Sequence, residues 1–176
     1  MEQAPVRPPW RELIGPIVGT IVFFILAPGT FGFYVPWRIA HWHMAPPLLG
    51  LWALRPVGAV LALVGSIGLA ESFSRFAIKG RGTPAPVLPP TRLVVTGLYR
   101  YVRNPMYVAV LSIVVGQALL LGSRRLLAYA AAFWVAVHLF VRLYEEPALR
   151  TRFGADYAAY SAAVRRWWPR ARPWRG

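Results

Sequence analysis

The sequence predicts an all-helical bundle embedded in a membrane: about four spanning helices followed by a C-terminal amphipathic helix at the interface. Three observations predict it. The 176 residues are 57% apolar and only 15% charged, with a mean hydropathy of +0.45, the balance of an integral membrane protein rather than a water-soluble globule. Four apolar runs are each long enough for a hydrocarbon core of ~30 Å, which takes about 20 helical residues. The cationic residues are segregated along the chain, sixteen on one side of those runs and three on the other. A chain of this length reads as one domain, 1–176.

The first run, Leu13 to Val35, contains Pro16, Pro28 and four glycines, so a kink near Pro28 is expected. Basic residues precede it, but no small-residue cleavage site interrupts it, and it reads as a retained anchor. Residues 36–55 carry Trp37, Trp42 and Trp52, the composition of an interfacial belt or a shallow re-entrant piece. The second run starts at Pro56, a favourable first helical residue, and continues to about Ile78, which leaves Arg55 at its entrance. Lys79 to Pro90 holds four prolines in twelve residues and forms a loop or strap. The third run, about Pro105 to Leu121, and the fourth, about Leu126 to Tyr144, are joined by Gly122-Ser123-Arg124-Arg125, too short for anything but an antiparallel pair. After Glu146, apolar residues recur at three- and four-residue spacing (Phe153, Tyr157, Tyr160, Val164, Trp167, Trp168) opposite arginines, predicting an amphipathic helix lying on an anionic leaflet that can lid a pocket.

A formal net charge of +14 raises nucleic acid as a partner, but the positions of the charges assign them to the membrane: by the positive-inside rule both termini, the proline loop and the end of the fourth run are cytoplasmic. There are no cysteines, which removes thiolate ligands and a cysteine nucleophile. His41 and His43 lie on the opposite face without a third ligand, so no metal site is expected.

Two polar clusters remain, both at the cytoplasmic ends of apolar runs. TRLVVTGLYRYVRNPMY, Thr91 to Tyr107, packs aromatic, cationic and amide groups against the start of the third run; His138, Arg142, Glu145 and Glu146 close the fourth. Polar groups there are costly unless something binds them, and together they predict a pocket at the rim of a bilayer. Each also has a structural reading. Glu145 and Glu146 can pair with Arg142 at three and four residues, worth a few tenths of a kcal/mol. Asn104 and Pro105 suit an N-cap and first helical position, where free backbone amides also suit an anion. Tyr99, Tyr101 and Tyr107 are ordinary interfacial aromatics, and His138 suits helix packing.

The order of TRLVVTGLYRYVRNPMY, an apolar hairpin, and EE followed by FGADYAAY resembles the isoprenylcysteine carboxyl methyltransferase and phospholipid methyltransferase group of membrane enzymes, over about residues 80–169. The proline loop resembles the bacterial members, which implies an inner-membrane location. The resemblance implies S-adenosylmethionine bound at the cytosolic rim without a nucleotide-binding sheet, and a lipophilic acceptor entering from the bilayer. Matched motif by motif, it puts cofactor contacts on Thr91, Arg92, Leu93, Val94, Tyr99, Asn104, Pro105, Met106, Tyr107 and Glu145, and a substrate-facing arginine at Arg142. The sequence departs from the group's eukaryotic members at Asn104, where they resemble one another in having histidine; asparagine keeps a donor and an acceptor but cannot titrate.

The donor's chemistry needs a cation, an anion and an apolar slot. Arg103 or Arg92 would take its carboxylate, Glu145 its ammonium or ribose hydroxyls, and Leu93, Val94 and Met106 its adenine. Tyr99, Tyr101 or Tyr107 would face the sulfonium. If the acceptor must lose a proton, the available bases are Glu145, Glu146 and His138. Membrane lipids are the expected surroundings. Two other readings are open at this level: a reductase using NADPH, since membrane sterol reductases resemble this group in their C-terminal half, and a non-catalytic module whose arginine-rich tail binds lipid.

Overall fold

The computed structural model describes residues 18, 22, 25–75 and 93–175, and every regular element among them is helical. The proline loop, Thr91, Arg92 and most of the front half of the first run lie outside the described residues. Five α-helices follow one another: α1 Val35–Ala40, α2 Leu54–Arg75, α3 Pro105–Leu121, α4 Arg124–Phe140 and α5 Glu146–Ala163. Two π-helical stretches, Ile25–Tyr34 and Val141–Glu145, precede α1 and α5. α2 and the continuous unit 124–163 are long and apolar enough to cross a membrane, and α3 is a shorter apolar helix.

Glycine sets how closely α2 and α3 approach. A Cβ on Gly58 would lie 2.6 Å from the Gly116 carbonyl oxygen, and one on Gly65 would lie 2.8 Å from that of Ala109. Small residues at such contacts let helix backbones touch, which matters most where surrounding lipid is as apolar as the side chains. Around this seam Leu69 and Phe73 of α2 pack with Val110, Ile113 and Val114 of α3 and Ala130 of α4.

The kink expected at Pro28 takes the form of the π-helix Ile25–Tyr34, with Pro28 inside it. Proline also explains how this stretch docks. Pro36 has no N–H to offer the carbonyls four and five residues before it, those of Gly32 and Phe31. Those carbonyls are taken by Gln117 Nε2 at 2.7 Å and Tyr129 OH at 2.8 Å, from α3 and α4. In an apolar surrounding such groups must be satisfied from within the protein.

The turn is shorter than expected, Gly122-Ser123 alone, with Arg124 and Arg125 already in α4: Gly122 is left-handed at φ +71°, and Ser123 Oγ caps α4 by accepting from Leu126 N at 3.3 Å. Residues 41–53 fold back onto this end of the bundle, with Ala45 N donating to Leu121 O at 2.9 Å. Arg55 Nη2 reaches Ala45 O at 2.8 Å while its guanidinium stacks 4.6 Å from the Trp52 ring. Trp37, Trp42 and Trp52 are exposed, in keeping with an interfacial belt.

The C-terminal region differs from expectation in two ways. The expected helix continues through Trp168, whereas α5 ends at Ala163, and residues 164–175 run as an irregular strap punctuated by Pro169 and Pro173, neither of which can donate to a helix. The aromatic face also turns inward: Tyr157, Tyr160 and Val164 are buried and pack with Leu93, Val95 and Trp174 rather than facing lipid. Gly154 makes this possible. At φ +48°, ψ −120° it breaks α5 in two, in a backbone conformation that glycine adopts at little cost and L side chains do not.

Candidate active site

Both polar clusters line one cavity of about 920 Å³ at the end of the bundle opposite Gly122. That is toward the upper end of the ~300–1,000 Å³ typical of small-molecule sites. Its walls change character along its length. Arg103, Asn104, Tyr99, Tyr107, Glu145, Glu146, Tyr157 and Tyr160 line one part, while Pro28, Phe31, Val110, Phe133, Val137 and Phe140 line the other.

Three local features place the polar groups. The 3₁₀ turn Gly97–Arg100 presents Tyr99, and glycine suits position 97, where φ is +59° and the Glu71 carboxylate of α2 lies where a Cβ would be. Glu71 itself pairs with Arg75 at 2.8 Å and lies 3.5 Å from Leu98 N, tying the turn to α2. Asn104 and Pro105 begin α3 as expected, but the Asn104 side chain makes no cap. Instead its Nδ2 donates to Arg166 O at 3.2 Å.

The third feature is the π-turn Val141–Glu145. Pro147 has no N–H for the carbonyls of Leu143 and Arg142, and the chain ahead of it widens to accommodate this. One extra residue in a turn rotates the downstream helix by roughly 100°. The pairing of Arg142 with the two glutamates at regular helical spacing is therefore replaced: Arg142 is exposed and does not line the cavity, and Glu146 takes its cations from far along the chain.

The two adjacent glutamates end in opposite situations. Glu146 is buried, accepts both Nε and Nη2 of Arg166 at 2.6 and 2.7 Å, and lies 3.1 Å from Arg103 Nη1. Its hydrogen bond raises the Arg166 guanidinium further above its ordinary value. Glu145 accepts a hydrogen bond from Tyr107 OH at 3.0 Å, and among the described residues no ion pair reaches it. That Tyr107–Glu145 bond joins the two sequence clusters directly. Arg103 Nη1 also donates to Tyr157 OH at 3.2 Å, and its Nε–H is buried without a partner among the described residues. Burial, and then the charge of Glu145, holds the Tyr99 phenol well above its ordinary value, so it stays protonated.

Of the residues expected to form the site, Leu93, Val94, Tyr99, Arg103, Asn104, Met106, Tyr107, Glu145 and Glu146 line the cavity. Pro105 is buried behind it, and Tyr101 and Arg142 do not line it. His138 accepts from Trp167 Nε1 at 3.1 Å and does not line it either, in keeping with a packing role. Thr91 and Arg92 lie outside the described residues. Sequence reasoning did not single out Phe31, Phe133, Arg152 or Arg166. Tyr157 and Tyr160 were visible through their spacing, but with their direction reversed.

Residues 54–156 match the family model described as phospholipid methyltransferase. No curated protein and no solved structure matches the chain.

Proposed function

The chain belongs to the phospholipid methyltransferase family, and from that premise we propose that it transfers a methyl group from S-adenosylmethionine to a lipophilic or small membrane-partitioned acceptor at the cytoplasmic rim of a bacterial inner membrane. Membership itself implies methyl transfer to a membrane-associated substrate. The donor, the site residues, the cytoplasmic placement of both termini and the single-domain organisation are our reading. The observation that carries it is the Tyr107–Glu145 bond inside a cavity polar at one end and apolar at the other.

The residues present fit the donor. It needs a cationic partner for its carboxylate, and Arg103 lines the cavity with a guanidinium whose Nε–H, buried, has no hydrogen-bond partner among the described residues. An anionic partner for the ammonium is supplied by Glu145, whose oxygens meet only a tyrosine hydroxyl among the described residues. Leu93, Val94 and Met106 supply apolar wall for the adenine, and Tyr99 and Tyr107 supply ring faces that tolerate a sulfonium. When bound, S-adenosylmethionine supplies an electrophilic methyl group on a positively charged sulfur.

What the protein adds is position and exclusion of water. Phe31, Val110, Phe133, Val137 and Phe140 hold an apolar acceptor in the same cavity, so that donor and nucleophile meet as parts of one complex. For an amine or thiol acceptor that must lose a proton, neither Glu146 nor His138 is placed to take it: both Glu146 oxygens are engaged by arginine, and His138 stands outside the cavity.

Titrating the detergent-purified protein with S-adenosylhomocysteine tests the reading by calorimetry and by melting temperature. Saturable binding with a raised melting temperature is expected, unaffected by competing NADPH. Absence of binding, or displacement by NADPH, overturns it.

A further inference from the structure

The C-terminal strap packs behind the polar lining of the cavity, on the segment 100–104 and on Glu146, and the donor reading above gives it no part. Its backbone pairs with the segment that carries Arg103: Arg103 N donates to Arg165 O at 3.0 Å, Arg170 N to Tyr101 O at 3.0 Å, and Trp174 N to Arg100 O at 2.9 Å. Arg100 Nε returns a bond to Trp174 O at 2.6 Å. This ladder delivers Arg166 onto Glu146, where its planar fork engages both carboxylate oxygens.

The consequence falls on Arg103. Glu146 is 5% exposed and holds two guanidiniums at once. With Arg166 occupying the fork position, Arg103 meets Glu146 through Nη1 alone and keeps its buried Nε–H unpartnered among the described residues. Remove Arg166, and Arg103 is the cation left on a buried carboxylate; the two would close into the bidentate pair that such groups favour. Charge balance points the same way. Arg166 and Glu146 neutralise each other, which leaves Arg103 and Glu145 as a cation and an anion for the two charged groups of a zwitterionic amino acid, with the exposed Arg152 as a further cation on the lining.

We propose that Arg166 is a positioning residue of the donor site: carried in by the C-terminal strap, it occupies Glu146 so that Arg103 is not drawn into a bidentate pair and its guanidinium, part of the cavity lining, stays available to the carboxylate of the ligand. The proposal rests on the S-adenosylmethionine reading and deepens it.

S-adenosylhomocysteine binding to the full-length protein, by calorimetry in detergent, tests it through a reversal. Arg166→Gln weakens binding at least about tenfold, because Arg103 is drawn onto Glu146. Arg166→Lys, which keeps a cation on Glu146 but not the grip on both oxygens, binds with an affinity between those of Arg166→Gln and wild type. The double variant Arg166→Gln with Glu146→Gln recovers most of the loss, because Arg103 then has no carboxylate to close on. A strap that only holds the fold together predicts the opposite, a double variant no better than the single one, and that result overturns the proposal. So does Arg166→Gln binding as tightly as wild type. Melting temperatures are followed in parallel; if Arg166→Gln does not stay folded, the double variant decides, binding near wild type supporting the proposal and weak binding in a folded chain overturning it. No binding by wild type would instead overturn the donor reading, and this proposal with it.

Discussion

The two ends of the bundle are closed by chain that folds back over helix termini, but with different materials. At the Gly122 end the closure is mainly backbone: Ala45 N on Leu121 O, Arg55 on Ala45 O, and a left-handed glycine against the Pro46 carbonyl. At the opposite end it is also made by side chains, Arg166 and Arg103 on Glu146, Tyr107 on Glu145, and Tyr160 OH on Tyr99 O at 2.7 Å. Backbone contacts bring chains together until little space is left. Side chains reaching across from separate elements hold a gap open, and the 920 Å³ cavity lies at this end. The same contrast recurs within the site, where Glu146 closes structure and Glu145 faces the cavity.

The sharpest way to break the comparison is Glu146→Ala. Two guanidiniums would lose their buried carboxylate, and unfolding in detergent should show a loss of about 3–5 kcal/mol. Next, Gly122→Val at the far end forces a β-branched residue to φ +71° with its Cβ on the Pro46 carbonyl oxygen. It should cost at least about 2 kcal/mol of stability, while the folded fraction binds S-adenosylhomocysteine with unchanged affinity. Loss of affinity there would couple the ends and dissolve the distinction.

Glu145→Gln sharpens the comparison from the other side. Without an ion pair to break among the described residues, it should change stability by less than about 1 kcal/mol, yet weaken S-adenosylhomocysteine at least about tenfold, roughly 1.4 kcal/mol. Calorimetry and melting temperature on one preparation read both. The smallest effect is expected for Tyr107→Phe, which removes a single hydroxyl from Glu145 and should cost about 1 kcal/mol in binding or stability. A larger stability loss than for Glu146→Ala would reverse the assignment of the two carboxylates.

Much of this was legible in the sequence. The start of α3 is written in Asn104-Pro105, the antiparallel turn after it in Gly122-Ser123-Arg124-Arg125, and the near side of the site in TRLVVTGLYRYVRNPMY. The pairing of Arg142 with Glu145 and Glu146 was not to be had from spacing, because helical spacing assumes a uniform turn and a single π-turn before Pro147 changes the later directions. Arg166 gave no signal at all, since its partner lies twenty residues earlier on another element. Tyr157 and Tyr160 show how far periodicity goes: spacing identifies the face of a helix, but not whether lipid or protein will cover it.

Apolar run length, the punctuation of proline and glycine, and the segregation of charge determine the helices and their order, because each of these acts through local backbone chemistry and the cost of dehydrating polar groups. The seam of Gly58, Gly65 and Gly116, the inward turn at Gly154 and the division of labour between Glu145 and Glu146 were decided only when distant segments met. A carboxylate becomes structural or available according to how many cations reach it, and that is a property of three-dimensional proximity.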